Sequence, residues 1–139
     1  SSLEEETVVA LLKTTDHIHR LQHPVLAPHG LTEQQYNVLR ILRGAGDAGL
    51  PTLSVAERLI EQTPGITRLI DRLEAKHLVR RERPAADRRQ VYCFITPTGL
   101  DLLATLDPLV EHGARRALRL LTKAEMRALQ SLLEKIRDA

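Results

Sequence analysis

The 139-residue sequence has almost no aromatic side chains: two tyrosines, one phenylalanine and no tryptophan. A core must therefore be built from Leu, Ile, Val and Ala. A single cysteine, Cys93, excludes an internal disulfide framework and fits a reducing cytoplasm. No apolar run approaches the roughly 20 residues of a membrane-spanning helix, and no signal-peptide pattern opens the chain. Three chemical signatures are also missing: a nucleophile–base–orienter set, a glycine-rich phosphate loop and an H-E-x-x-H pair. The expectation is a protein that is not an enzyme and needs no cofactor. His17, His19, His23, His29 and His112 raise the question of a metal. His19 and His23 stand i, i+4, a workable helical ligand pair. Pro24 follows directly, however, and no Cys or carboxylate cluster completes a set, so surface histidines and no metal are expected.

What is present is ordinary in amount and uneven in placement. Hydrophobic residues make up 42% and charged residues 27%, and the length suits one domain over residues 1–139. Net charge is only +2, yet residues 68–89 hold eight Lys or Arg against four Asp or Glu. Residues 1–67 hold five basic against eight acidic groups. A basic cluster on an otherwise neutral chain is the electrostatic footprint of a nucleic-acid surface. Its bland alternative is a solvated charged face.

Apolar periodicity predicts helices at both ends. Residues 4–22 place Val8, Leu11, Leu12, Thr15, Ile18 and His19 on one side, before Pro24, Pro28 and Gly30 break the helix. Thr32 and Gln35 make a capping box for a second helix, with Leu31 and Tyr36 as its hydrophobic staple. Gly44, Gly46 and Gly49 end it, and residues 50–53 suit a short strand before a third helix, over residues 53–60. Thr96-Pro97 caps a long helix towards residue 120, which Pro108 should kink. Thr122 and Glu125 open a last helix whose stripe is Met126, Leu129, Leu132, Leu133 and Ile136. The terminal helices carry more Leu and Val than a compact core can face. A homodimer is the natural sink, with residues 1–23 and 98–139 as dimerisation helices.

Residues 52–96 organise the rest. Thr63 is a suitable N-cap and Pro64 a suitable first position for a helix whose buried stripe is Ile66, Leu69, Ile70 and Leu73. Its other face carries Thr67, Arg68, Asp71 and Arg72. Two candidate strands follow, residues 78–83 and 90–95, joined by a tip with Pro84, Asp87, Arg88 and Arg89. Helix, turn, helix and basic β-hairpin outline a winged helix-turn-helix over residues 31–96. The expected fold class is mainly α with a small antiparallel β wing.

These residues also carry a family resemblance. Asp71 to Glu74 as D-R-L-E, Leu78-Val79, Asp87-x-Arg89 and Thr96-x-x-Gly99 resemble, in order and spacing, the pattern of the MarR family of bacterial transcription regulators. Residues 31–40, L-T-x-x-Q-Y-x-V-L-R, are similar to the family's second helix. His77 departs from the pattern, standing where the family usually has Gly, and Pro108 falls inside what should be a long helix. Histidine is among the less unfavourable replacements at positive φ.

The resemblance implies a dimeric, sequence-specific, double-stranded-DNA-binding regulator. It would be a repressor that leaves a palindromic operator when a small aromatic ligand binds. Candidate DNA contacts are Thr63, Gly65, Thr67, Arg68 and Arg72 on the helix and Arg88 and Arg89 at the tip, with Gln62 beside the helix start. Arg68 can donate a bidentate pair to guanine; Arg72 could instead pair with Asp71 or Glu74 along the surface. Family likeness favours Arg89 for a minor groove, with Asp87 orienting it and Arg88 on phosphate. His19, Tyr36 and Leu39 are candidates for the ligand pocket. Cys93, in a strand, reads as a small buried hydrophobe rather than a redox sensor. Two other functions stay open: a winged helix used for protein interaction without DNA, and a metal or redox sensor of the same fold.

Overall fold

The computed structural model describes residues 1–62 and 64–138. The described residues form six α-helices and a small sheet: α1 Leu3–Leu26, α2 Glu33–Ala45, α3 Thr52–Arg58, α4 Ile66–Ala75, α5 Pro97–Ala117 and α6 Lys123–Arg137. Strands β1 Leu50–Pro51, β2 Val79–Glu82 and β3 Tyr92–Ile95 form an antiparallel sheet in the order β1-β3-β2. Val79 pairs with Ile95 and Glu82 with Tyr92, so β2, β3 and the loop between them make the wing. The fold class is that expected from sequence.

Local chemistry sets most helix starts. The Thr32 hydroxyl accepts from the Gln35 N–H while the Gln35 side chain accepts from the Thr32 N–H, a complete capping box. Thr122 and Glu125 repeat the arrangement. Thr96 caps α5 through the Gly99 N–H, with Pro97 in the first turn. Gly99 is required by space as well. A Cβ there would lie 2.5 Å from the Leu78 carbonyl oxygen, so the start of α5 presses on the chain entering the wing.

Two expectations about boundaries fail. Pro24 does not end α1, which continues to Leu26 before a 3-10 turn and Gly30 at φ 75°. Pro24 lies in the last turn, where one missing hydrogen bond costs little against the packing of α1 on α5. Pro108 lies inside the long α5, where the sequence places it. The helix predicted from Thr63 and Pro64 begins only at Ile66, with Gly65 at φ 93° as its N-cap. A positive φ is cheap for glycine alone, so Gly65 sets the true start. Thr63 itself lies outside the described residues.

The core is aliphatic. Val38, Leu39, Leu42, Val55, Ile70, Leu73, Leu103 and Leu106 are all fully buried. It draws on α2, α3, α4, the sheet and the first half of α5. Of α1 only Leu26 is buried, and of α6 no residue is. Leu12 is 65% and Leu132 59% exposed, so each terminal helix shows an apolar stripe to solvent.

Candidate DNA interface

Helix α4 buries Ile70 and Leu73 and exposes Thr67, Arg68, Asp71 and Arg72. Its C-terminal end is closed by a Schellman turn. The Leu78 N–H reaches the Leu73 carbonyl, and the His77 N–H reaches that of Glu74. His77 takes the left-handed position at φ 61°, the conformation for which glycine is usual. Buried Leu73 and Leu78 complete the turn and launch β2 directly from the end of α4.

The acidic residues of α4 belong to the wing rather than to Arg72. One Arg81 Nη2 lies 2.6 Å from Asp71 Oδ1 and 2.8 Å from Glu74 Oε1. The Arg81 Nε and backbone N–H also donate to Glu74. Hydrogen bonding from Arg81 holds the Glu74 carboxyl below its ordinary value, and hydrogen bonding from Glu74 raises the guanidinium. Asp71 and Glu74 thus share the Arg81 guanidinium. Among the described residues no hydrogen-bond or ion-pair partner meets the Arg68 or Arg72 guanidinium, and both side chains remain exposed. The alternative pairing of Arg72 with Asp71 or Glu74 is not formed.

At the tip, Asp87 Oδ1 accepts from both the backbone N–H and Nε of Arg89, each at 3.1 Å. The Arg89 side chain is otherwise 92% exposed. Arg83 Nη1 donates to the Arg88 carbonyl at 2.8 Å, and the Asp87 N–H closes a turn on Pro84. This leaves the Arg88 side chain pointing to solvent without a partner among the described residues. At the base of the wing the Arg80 guanidinium lies 4.2 Å over the Phe94 ring. Gln62 has another task than the expected one: its amide donates to the Glu57 and Leu59 carbonyls and closes the end of α3.

Sequence reading missed Arg81 and Arg83. Arg81 was within reach, since it completes the L-V-x-R run begun by Leu78-Val79. Arg83 carries no local signal, because its partner is a backbone carbonyl across the loop. Cys93 is buried in β3, beside the Thr52 hydroxyl, and burial pushes its thiol above the ordinary value. Among the described residues no group of three His, Cys, Asp or Glu side chains is placed to hold a metal ion, and no helix is long and apolar enough to cross a membrane.

A second feature lies away from α4 and the wing. A cleft of about 550 Å³ opens between α1, α2, α5 and the segment joining α3 to α4. His19 and Tyr36 line it, but Leu39 does not. Leu39 is fully buried in the core on the other side of α2, so its place in the expected pocket is corrected. Glu33 and Glu61, not singled out from sequence, meet His19 there. Glu33 Oε2 is 2.5 Å from Nδ1 and Glu61 Oε1 3.4 Å from Nε2.

A helix-turn-helix with a basic exposed face, followed by a hairpin holding an ordered arginine, defines the class of winged-helix DNA-binding proteins. Comparison narrows the class. The MarR family model matches residues 31–91. A MarR transcription factor from Planctomyces limnophilus is 37% identical, superposes with a TM-score of 0.76, and the match covers 96% of this chain and 97% of that one. BpsR of Bordetella bronchiseptica, whose DNA binding is regulated by 6-hydroxynicotinic acid, is 27% identical with a TM-score of 0.88 over 100% and 98% of the chains. The homoprotocatechuate degradative operon repressor of Escherichia coli is 29% identical over 132 residues, 95% of this chain and 88% of that protein. The chain belongs to the MarR family and is a DNA-binding transcription regulator.

Proposed function

We propose that the chain acts as a homodimeric repressor that holds a palindromic operator and releases it when a small ligand fills the cleft. The observation that carries the DNA half is the set of exposed arginines on α4 and at the wing tip: among the described residues Arg68, Arg72 and Arg88 meet no side-chain partner, and Arg89 meets only Asp87. Arg68 and Arg72 stand on the helix while Arg81 engages the neighbouring carboxylates. Arg89 is pre-oriented by Asp87, which lowers the ordering cost of inserting it into a narrow, negative minor groove. Thr67 and Gly65 would meet base edge and phosphate at the start of the helix, and Arg88 phosphate beside the wing.

The dimer half rests on the apolar stripes of α1 and α6. A specific contact buries about 800 Å² per partner, and Leu12, Leu132 and Ile136 are exposed members of such a surface. Two-fold symmetry would set two α4 helices about one DNA turn apart. The ligand half is supported by the cleft, which joins the terminal helix α1 to the segment leading into α4. Phenolic or aromatic-acid ligands fit the family likeness and the named relatives.

The test is an electrophoretic shift with DNA from upstream of the gene, repeated with a panel of aromatic compounds. The proposal expects a saturable shift reversed by at least one compound. No shift at low salt would instead support an interaction module without DNA.

A further inference from the structure

We propose that Arg83 is a positioning residue of the wing: by holding the Arg88 carbonyl it locks the peptide from which Arg89 springs, and so sets how Arg89 meets the groove. This rests on the assignment of Arg89 to the minor groove above and names the residue that presents it there. The base of the wing is held from several directions. Arg81 ties β2 to Asp71 and Glu74 of α4. The Val91 carbonyl accepts from the Thr52 N–H at 2.9 Å and from the Thr52 hydroxyl at 3.0 Å. The Phe94 ring lies so close to Gly49 that a Cβ there would meet it at 2.5 Å. Strand pairing ends at Glu82 and Tyr92, so residues 83–90 reach out from a fixed base.

Within that tip one peptide unit is held at both ends. Its oxygen, the Arg88 carbonyl, accepts from Arg83 Nη1 at 2.8 Å. Its N–H, that of Arg89, donates to Asp87 Oδ1 at 3.1 Å. A trans peptide is planar and turns only as a unit. Asp87 alone would leave that plane free to swing about a single contact. Arg83 supplies the second, reaching from the arm that leaves β2 to the arm that carries both tip arginines. The Asp87 N–H to the Pro84 carbonyl, at 3.2 Å, closes only the bend between them. The chemistry of the partner matters as well. A guanidinium has several N–H donors, and a carbonyl does not neutralise it, so the tip is ordered without loss of positive charge. Residues 83–90 then hold three arginines against the single carboxylate of Asp87. Arg83 is exposed, so its hydrogen bond adds little to global stability. What it saves is the cost of ordering the tip on binding.

Anisotropy of a labelled duplex from upstream of the gene tests this with the parent, Arg83→Met, Arg83→Lys, Arg89→Ala and the double variant Arg83→Met/Arg89→Ala. Arg83→Met should weaken binding about threefold to tenfold, the scale of one hydrogen bond, with an unchanged melting temperature. Arg83→Lys keeps a donor at nearly the same reach and should recover most of the loss. If Arg83 acts through Arg89, Arg83→Met should cost little once Arg89 is absent. In the free protein, trypsin should cut after Arg88 and Arg89 faster in Arg83→Met than in the parent, because an unclamped tip opens more often. Equal losses from Arg83→Met with and without Arg89, or an unchanged cutting rate, overturn the inference and leave the role of Arg89 intact. Arg89→Ala binding like the parent, or no binding by the parent, overturns both.

Discussion

Arg89 donates twice to one oxygen of Asp87, and the rest of its side chain stands in solvent. The contact is too exposed to matter for stability, so its value must lie in orientation. Asp87→Ala is therefore expected to weaken operator binding by about 1 kcal/mol or less while the melting temperature stays put, because the arginine keeps its charge and loses only its guide. Arg68→Ala should behave differently. A major-groove contact reads bases, so preference should relax at particular operator positions, with a cost of about 1–3 kcal/mol at those positions. His77 offers a stability test at the same scale. Its φ of 61° costs an L-residue roughly 1–2 kcal/mol, while glycine adds about 0.4–1 kcal/mol of unfolded-state entropy. His77→Gly should thus gain up to about 1.6 kcal/mol by chemical denaturation, the largest difference between those two ranges. A lowered stability would mean that the imidazole makes a compensating contact.

Between elements, α4 and the wing are tied by Arg81 through Asp71 and Glu74. The tie fixes how the helix face and the hairpin tip are presented together. It also yields a pH dependence. Hydrogen bonding from Arg81 lowers the Glu74 carboxyl below its ordinary 4.5, and that from Arg43 lowers Asp107 below 3.8. Below the ordinary values the unfolded chain holds more protons than the folded one, so stability rises with pH in that window. These contributions are complete above pH 4.5 and disappear as pH falls through the lower folded values. Melting temperature should accordingly drop on acidification below that point, and Glu74→Gln should make the drop shallower. A slope identical to the parent's would show that Glu74 is unshifted. Elements differed in how far they could be read from sequence for the same reason. Thr32 with Gln35, and Thr122 with Glu125, act within four residues, so spacing alone revealed them. Pro24 misled because its cost is small in a last turn backed by α5. The start of α4 depends on a φ at Gly65 that no spacing announces. Arg81, Arg83 and the meeting of His19 with Glu33 and Glu61 all depend on chain segments brought together by the fold.

For the whole molecule, the exposed stripes of α1 and α6 are the feature a lone chain leaves unresolved. Sedimentation at micromolar concentration should give a dimer, and a monomer there would remove the two-fold arrangement from the account. A dimer presents two α4 helices and two wings to one duplex, so its affinity must fall steeply with salt. Each phosphate neutralised contributes about 0.9 to the slope of log affinity against log salt. The central claim is that this affinity is delivered jointly by helix and wing. Its most direct measurement is the anisotropy of a labelled operator titrated with parent protein and Arg89→Ala over a salt series, with melting temperature as the folding control. The account predicts a loss of about 1–3 kcal/mol per protomer and a slope shallower by about one unit for each arginine removed. An Arg89→Ala protein that folds and binds like the parent at every salt concentration would contradict it.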